Sequence, residues 1–464
     1  MAKLIDMLTI GVAFSMLLTS CAPAATAPAA PVASPAPTST SRATPVPTDE
    51  PLSLAAPAIL YPNGKSELIV ASTATGSVFH AFAPIPLGQD YNYAFSPDGR
   101  TLAMVSDAQL DLIDLRSWTY RSSKIDLYGW LSAVVYSPDE TLLALATGGT
   151  NSDIRIVDAK GGTVLASTKV DFSVRNVKFT TDQKAIMLYG AHVDGDGLST
   201  GAPVAAMFSA SKLTPLWSAE LKNVHDGAVP KDPHTTDIHQ PGAAWYYAPA
   251  IVFARGADIL YAIHGDEDKL TTVDFSARQV KTLSIHAQQS WLDRLLAFGA
   301  GTAYAKGMDG TNKQAVISPD GKSLFVVSTT EAYVKSTGGN WDTITTHNGL
   351  QVIAVADGSI LRQQKTEAES VALSPDGRYL FLSGWKNANY EALWSEVYDL
   401  ASNARLTHMD STQLMPTRHL DGTPVLVSTD YFSDSLCQLA SVDPNTWEIT
   451  SDWKGTCIGW LLGP

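Results

Sequence analysis

One four-residue turn, recurring between apolar strands, constrains this chain more than any other feature. The clearest copy runs Tyr93-Ala94-Phe95-Ser96-Pro97-Asp98-Gly99-Arg100-Thr101-Leu102-Ala103-Met104-Val105. The turn returns at Ser137-Pro138-Asp139-Glu140, Ser318-Pro319-Asp320-Gly321 and Ser374-Pro375-Asp376-Gly377. Degenerate copies stand near Asp182, Gly256 and Asp421. Proline presets φ for the turn, aspartate bonds back to the backbone, and glycine accepts positive φ. The flanks are β-branched, aromatic or leucine, which strands favour. A second hairpin follows each turn, as in Ile154–Asp158 through Thr163–Leu165, and the alternation has period two. No amphipathic helix of ordinary length with caps is legible.

Four short antiparallel strands repeating every ~40–50 residues predict an all-β β-propeller. The units resemble WD-repeat-like and YVTN-type propeller repeats, most closely at Ile156-Val157-Asp158-Ala159 to Phe179 and at Leu350-Gln351-Val352-Ile353 to Leu382. The resemblance covers residues 57–464 and implies fold rather than function, since propellers host many activities. Seven copies of the first hairpin face eight of the second, the extra one spanning Glu67–Ala81. Eight blades are therefore expected. In the last of them the C-terminal strand Cys457–Leu461 would join three N-terminal strands and remove the free edge. Seven blades is the alternative, with Ala58–Phe82 as an irregular lead-in.

The N-terminus reads as an address. Leu8–Leu18 is an apolar run too short to span a ~30 Å bilayer core, and it fits the hydrophobic region of a secretory signal. It ends in Leu18-Thr19-Ser20-Cys21, which resembles the lipobox of bacterial lipoproteins. That resemblance implies cleavage after residue 20, lipidation of Cys21, and an anchor in a membrane of the cell envelope on its extracytoplasmic side. Residues 21–56 then form a tether of Ala, Pro, Ser and Thr: Ala22–Pro51 holds eight of the chain's 26 prolines and cannot bury a core. With Cys21 lipidated, Cys437 and Cys457 remain. Outside the cytoplasm two cysteines pair, and this bridge would tie the last full blade to the closing strand.

Lys+Arg is 32 and Asp+Glu is 46, giving a net charge of −14. An acidic chain without a basic patch excludes nucleic acid as a partner. Nucleotide-binding, haem-attachment and nucleophile-elbow motifs are absent from the sequence. The longest segments, Ala191–Pro203, Leu221–Ala244, Gln288–Lys313, Thr329–Gly349 and Gly384–Leu393, all fall in connections between hairpins or blades. The hairpin turns lie on the opposite face, so one face collects every insertion, and long loops on a rigid scaffold carry binding.

The candidate residues lie there. Trp245, Trp291, Trp341, Trp385 and Trp394 are placed to stack on a carbohydrate or to anchor a protein partner. His225, His234 and His239 lie in one aspartate-rich segment and are candidate ligands of a divalent metal, though no familiar metal motif surrounds them. Asp194-Gly195-Asp196-Gly197 is read as a turn, because the third acid of a Ca²⁺ loop is missing. The expected function is a membrane-anchored binding or protein-interaction module without a cofactor. The alternative is a metal-assisted hydrolase or lyase using the loop-rich face.

Overall fold

The computed structural model describes residues 58–62, 68–72, 77–82, 91–106, 109–115, 117–125, 127, 130–232, 240, 242–287, 310–335, 341–374, 376–385, 393–410, 413–418, 424–431 and 436–456. Cys21, Cys457, Trp291, His234, His239 and the strand Cys457–Leu461 lie outside them. The strands form eight sheets, and no helix occurs among the described residues. In chain order the first sheet holds Ala58–Pro62, Leu68–Ser72 and Val78–Ala81. Each later sheet contains four consecutive antiparallel strands: Tyr91 to Lys124, Leu131 to Val170, Ser173 to Glu220, Ala250 to Ser284, Gly310 to Gln364, Ser370 to Asp410 and Gln413 to Thr456. Together they form an all-β propeller, and eight sheets match the blade count that the two hairpin tallies predict.

Packing explains why consecutive sheets must stand face to face. The second strand of a sheet is buried on both sides, so alternate residues serve different neighbours. Leu102 and Met104 pack with Leu68 and Val70 of the first sheet, whereas Ala103 and Val105 pack with Val134, Leu143 and Leu145 of the third. Ala144 and Ala146 then meet Ile186 and Leu188, while Met187 and Tyr189 turn to Leu260 and Phe275. Leu324 and Val326 serve the fifth sheet, and Phe325 and Val327 the seventh. Leu414 and Val442 of the eighth sheet close onto Tyr379 and Phe381. Every described interface is a two-sided apolar layer, which is why the inner strands read as apolar runs rather than as clean alternation.

Outermost strands differ. Thr119–Lys124, Pro215–Glu220 and Gln279–Ser284 are exposed along most of their length. Val78–Ala81 has the same exposure, so the first sheet carries its outer three strands. The position without a described strand is the innermost one, where the sequence expects Cys457–Leu461. Cys437 pairs in register with Gly455, two residues before Cys457.

The repeated turn is a closed hydrogen-bond unit. Ser96 Oγ donates to Asp98 Oδ1 at 2.6 Å, and accepts from Thr101 N at 2.9 Å. Asp98 Oδ1 accepts from Arg100 N at 2.9 Å. The same hydroxyl–carboxylate bond holds at Ser137–Asp139, Ser318–Asp320 and Ser374–Asp376, and with a threonine at Thr180–Asp182. The residue after Asp is left-handed, with φ of 71° at Gly99 and 72° at Gly321. Glu140 and Gln183 take that conformation without being glycine. Glu140 gains something in return, since its Oε1 accepts from Asp98 N of the preceding sheet at 2.7 Å.

Candidate functional site

Two of the long connections contain paired strand where loops were expected. Thr329–Gly349 is mostly strand: Ser323–Lys335 and Trp341–Ala354 run on past the blade and stay paired out to Lys335 opposite Trp341. Leu221–Ala244 contains the strand Gly227–Pro230, which pairs with Ala244–Ala248. Ala244–Ala248 then lies parallel to Gly310–Ile317. The sixth sheet therefore grows into a projecting sheet standing on the connection face. Period-two alternation hid this from sequence reading, because the extension is polar and threonine-rich.

A standing sheet has two faces, and consecutive residues point to opposite ones. Tyr246, Gly310, Glu331 and Thr345 lie in one row of the ladder, with His347 two residues along on the same face. Tyr247 and Thr311 point the other way, as do Trp245 and Lys313 by alternation. Neighbouring tyrosines thereby serve two separate polar clusters.

On the Tyr246 face, His347 Nε2 lies 3.1 Å from Glu369 Oε1. Glu369 opens the seventh sheet, its N–H bonded to Ser383 O at 2.9 Å. Burial, with the Glu369 charge beside it, raises the Glu331 carboxyl above its ordinary range. Tyr333 is pushed up to about 12 by burial, Glu331 and Tyr246. A carboxyl biased toward its protonated form beside a His-paired carboxylate can hold and hand over a proton.

Beside the Tyr247 face, Asp226, the residue after His225, is half-buried and accepts a hydrogen bond from Tyr189 Oη at 2.9 Å. Burial raises its pKa, opposed by the Arg175 guanidinium and the Tyr189 bond. Arg175 sits at a β-bulge on its sheet's innermost strand: Val174 pairs with Gly190 and Asn176 with Tyr189, leaving Arg175 extra. Bulges re-aim side chains, often beside functional sites. His225 Nε2 lies 3.5 Å from Asp266 Oδ2, and its ring is 5.6 Å from that of Tyr247. Burial raises Tyr247, helped by Asp266. Lys313 is lowered by burial, against the pull of Asp268 and Asp266. Behind this cluster His264 is fully buried, its Nε2 2.7 Å from Thr271 Oγ1, and burial lowers its pKa to about 4.

The sequence-selected residues divide. Trp245 and Trp341 lie on the projecting sheet. The Lys231 ammonium stands 5.9 Å from the centre of the Trp245 ring, and Trp341 is 46% exposed. Trp385 ends the second strand of the seventh sheet and is half-buried. Trp394 is a core residue, 6% exposed and packed with Leu380 and Tyr398, so it offers no binding surface; only its stacking on His408 reaches outward. Of the three histidines, His225 is described, and its partner is Asp266. No group of three metal-ligating side chains occurs among the described residues. Asp194 spends its carboxylate on Asp196 N and Leu198 N, at 3.0 and 2.9 Å, as a turn does. Arg175, Lys313, Glu331 and Glu369 escaped sequence reading, while Asp226 was legible only as one acid of the aspartate-rich segment. The one legible cue was a charged residue, Arg175 or Lys313, inside an inner strand.

No family model and no curated protein matches the sequence. Solved structures do match by shape. The dihydro-heme d1 dehydrogenase NirN, solved in complex with DHE, aligns at TM-score 0.55 and 11% identity over 86% of this chain and 73% of its own. The Cps50 (Swd1) β-propeller domain of Myceliophteria thermophila aligns at TM-score 0.40 and 14% identity over 80% of this chain and 98% of its own. At 11% identity the NirN likeness speaks for fold alone, and it supports the assignment reached from strand order and packing: this chain is a β-propeller protein.

Proposed function

We propose that this chain is a lipoprotein, anchored through Cys21 on the extracytoplasmic side of a bacterial envelope membrane, whose propeller binds a partner on its connection face without catalysing a reaction. The observation that carries the binding reading is the projecting sheet. It exposes Trp341 at 46%, Ile344 at 52% and Val334 at 38%, where a strand extension has no core to cover. Exposed aromatic and aliphatic side chains rimmed by polar groups mark interaction surfaces. The signal and tether put that surface at a distance from the bilayer.

Two variants test the proposal. Cys21→Ala should move the protein from the membrane fraction to the soluble one, and the wild type should carry a lipid adduct by mass spectrometry. Replacing residues 333–343 with Asn-Gly should leave the melting transition in place and abolish capture of envelope components. Retention of both membrane association and capture would refute the two halves separately.

A second reading rests on Glu331, Glu369 and His347. A carboxyl raised above its ordinary range beside a His-paired carboxylate is an arrangement suited to general acid–base chemistry, so a hydrolytic enzyme is the alternative. Glu331→Gln would abolish turnover under that reading and spare affinity under the first.

A further inference from the structure

We infer that the Tyr247 face of the projecting sheet is a carbohydrate-binding site that takes a neutral, polyhydroxylated chain; this rests on the binding reading above and names its ligand class. Trp245 and Tyr247 are two residues apart on one strand, so their rings share a face about 7 Å apart. That is an aromatic strip suited to the C–H faces of sugar rings. Each ring has a polar neighbour: the Lys231 ammonium lies 5.9 Å from the Trp245 centroid, and the His225 ring 5.6 Å from that of Tyr247.

The polar groups beside the strip select the ligand. Asp266 Oδ1 and Arg175 Nε are buried and have no hydrogen-bond partner among the described residues. One is an acceptor and the other a donor, and buried polar atoms left unpaired are costly. Asp266 faces His225 and acts electrostatically on Tyr247 and Lys313, while Arg175 acts on Asp226, the residue after His225. Cations and carboxylates are thus mixed beside the strip. A field of one sign would favour a charged peptide or a phosphate. Mixed charge with an open donor and an open acceptor favours a group that both donates and accepts, which is what a hydroxyl does. Vicinal hydroxyls on a ring with an apolar face meet both demands.

The test uses the full chain, with cellotetraose and chitotetraose as probes in isothermal titration calorimetry. Saturable binding of at least one oligosaccharide is expected. Asp266→Asn, which keeps shape and removes charge, should weaken it about tenfold, and Trp245→Ala by at least as much. Ser318→Ala, at the opposite end of the strands, should leave it unchanged. Absence of saturable binding by both probes would overturn the inference, as would binding that is indifferent to both site variants while their melting transitions match the wild type. Cleavage of a bound probe by the wild type but not by Glu331→Gln would leave the sugar inference standing and shift the function to the enzymatic reading. Failure of both sugars with continued hairpin-dependent capture would sink this inference and spare the binding proposal.

Discussion

At the hairpin-turn end of the strands, the Ser and Asp side chains of each repeated turn find partners almost next door, although Asp98 N also reaches Glu140 of the next sheet. Ser318 reaches Asp320 two residues on, and Ser323 N returns to Ser318 Oγ across five. At the connection end the partners are distant: Tyr189 and Asp226 are 37 residues apart, His347 and Glu369 are 22. The first kind of contact belongs to each repeat and forms whenever its hairpin forms. The second exists only after several sheets have assembled. Turn contacts should therefore be interchangeable and modest, and connection contacts singular and costly to break.

The largest expected effect tests the costly side. Arg175→Met leaves half-buried Asp226 without the cation that offsets its desolvation. Losing that charge should destabilise by about 2–3 kcal/mol, read as a lower denaturation midpoint at constant slope.

A pH series separates the two ends next. His264 is held at about 4 by burial, against an ordinary 6.5. Between those values the unfolded chain binds the extra proton, so stability falls as pH drops from 6.5 to 4 and then levels off. The full loss is up to ~3 kcal/mol, and His264→Gln should flatten that window. Asp139 and Asp320 behave differently. Hydrogen bonds from Ser137 and Ser318 hold their carboxyls below the ordinary 3.8. Their contribution is present above that value and is lost only as pH falls further. Denaturation curves that show one merged transition window would erase the distinction.

Smaller effects sharpen the interchangeable side. Ser96→Ala and Ser374→Ala should each cost about 1 kcal/mol, and the double variant should be additive to about 0.5 kcal/mol because the turns lie in the second and seventh sheets, which do not adjoin. Non-additivity would mean that the turns communicate. The smallest effect is expected where the sheet projects. Replacing residues 333–343 removes the tip of the extension, where Val334, Lys335, Trp341 and Asp342 are exposed, and should change stability by no more than about 0.5 kcal/mol.

The sequence carried the repeat because its information is local. Ser-Pro-Asp-Gly names a turn within four residues, the second strands name their own two-sided burial through unbroken apolar runs such as Leu142–Thr147, and counting hairpins gives the number of sheets. Trp245 and Trp341 were legible as surface aromatics because they fall in long connections. Trp394 misled for the same reason: its place beside a connection says nothing about which way the ring points, and Leu380 and Tyr398 bury it. Tertiary structure alone decided the site. Whether Tyr246 or Tyr247 faces Glu331 depends on a parallel pairing with Gly310–Ile317, more than sixty residues away along the chain. Arg175 meets Asp226 only because a bulge turns it and the next connection folds back over it. No spacing in the chain encodes such contacts, since the energy that fixes them comes from packing between sheets rather than from the residues nearby.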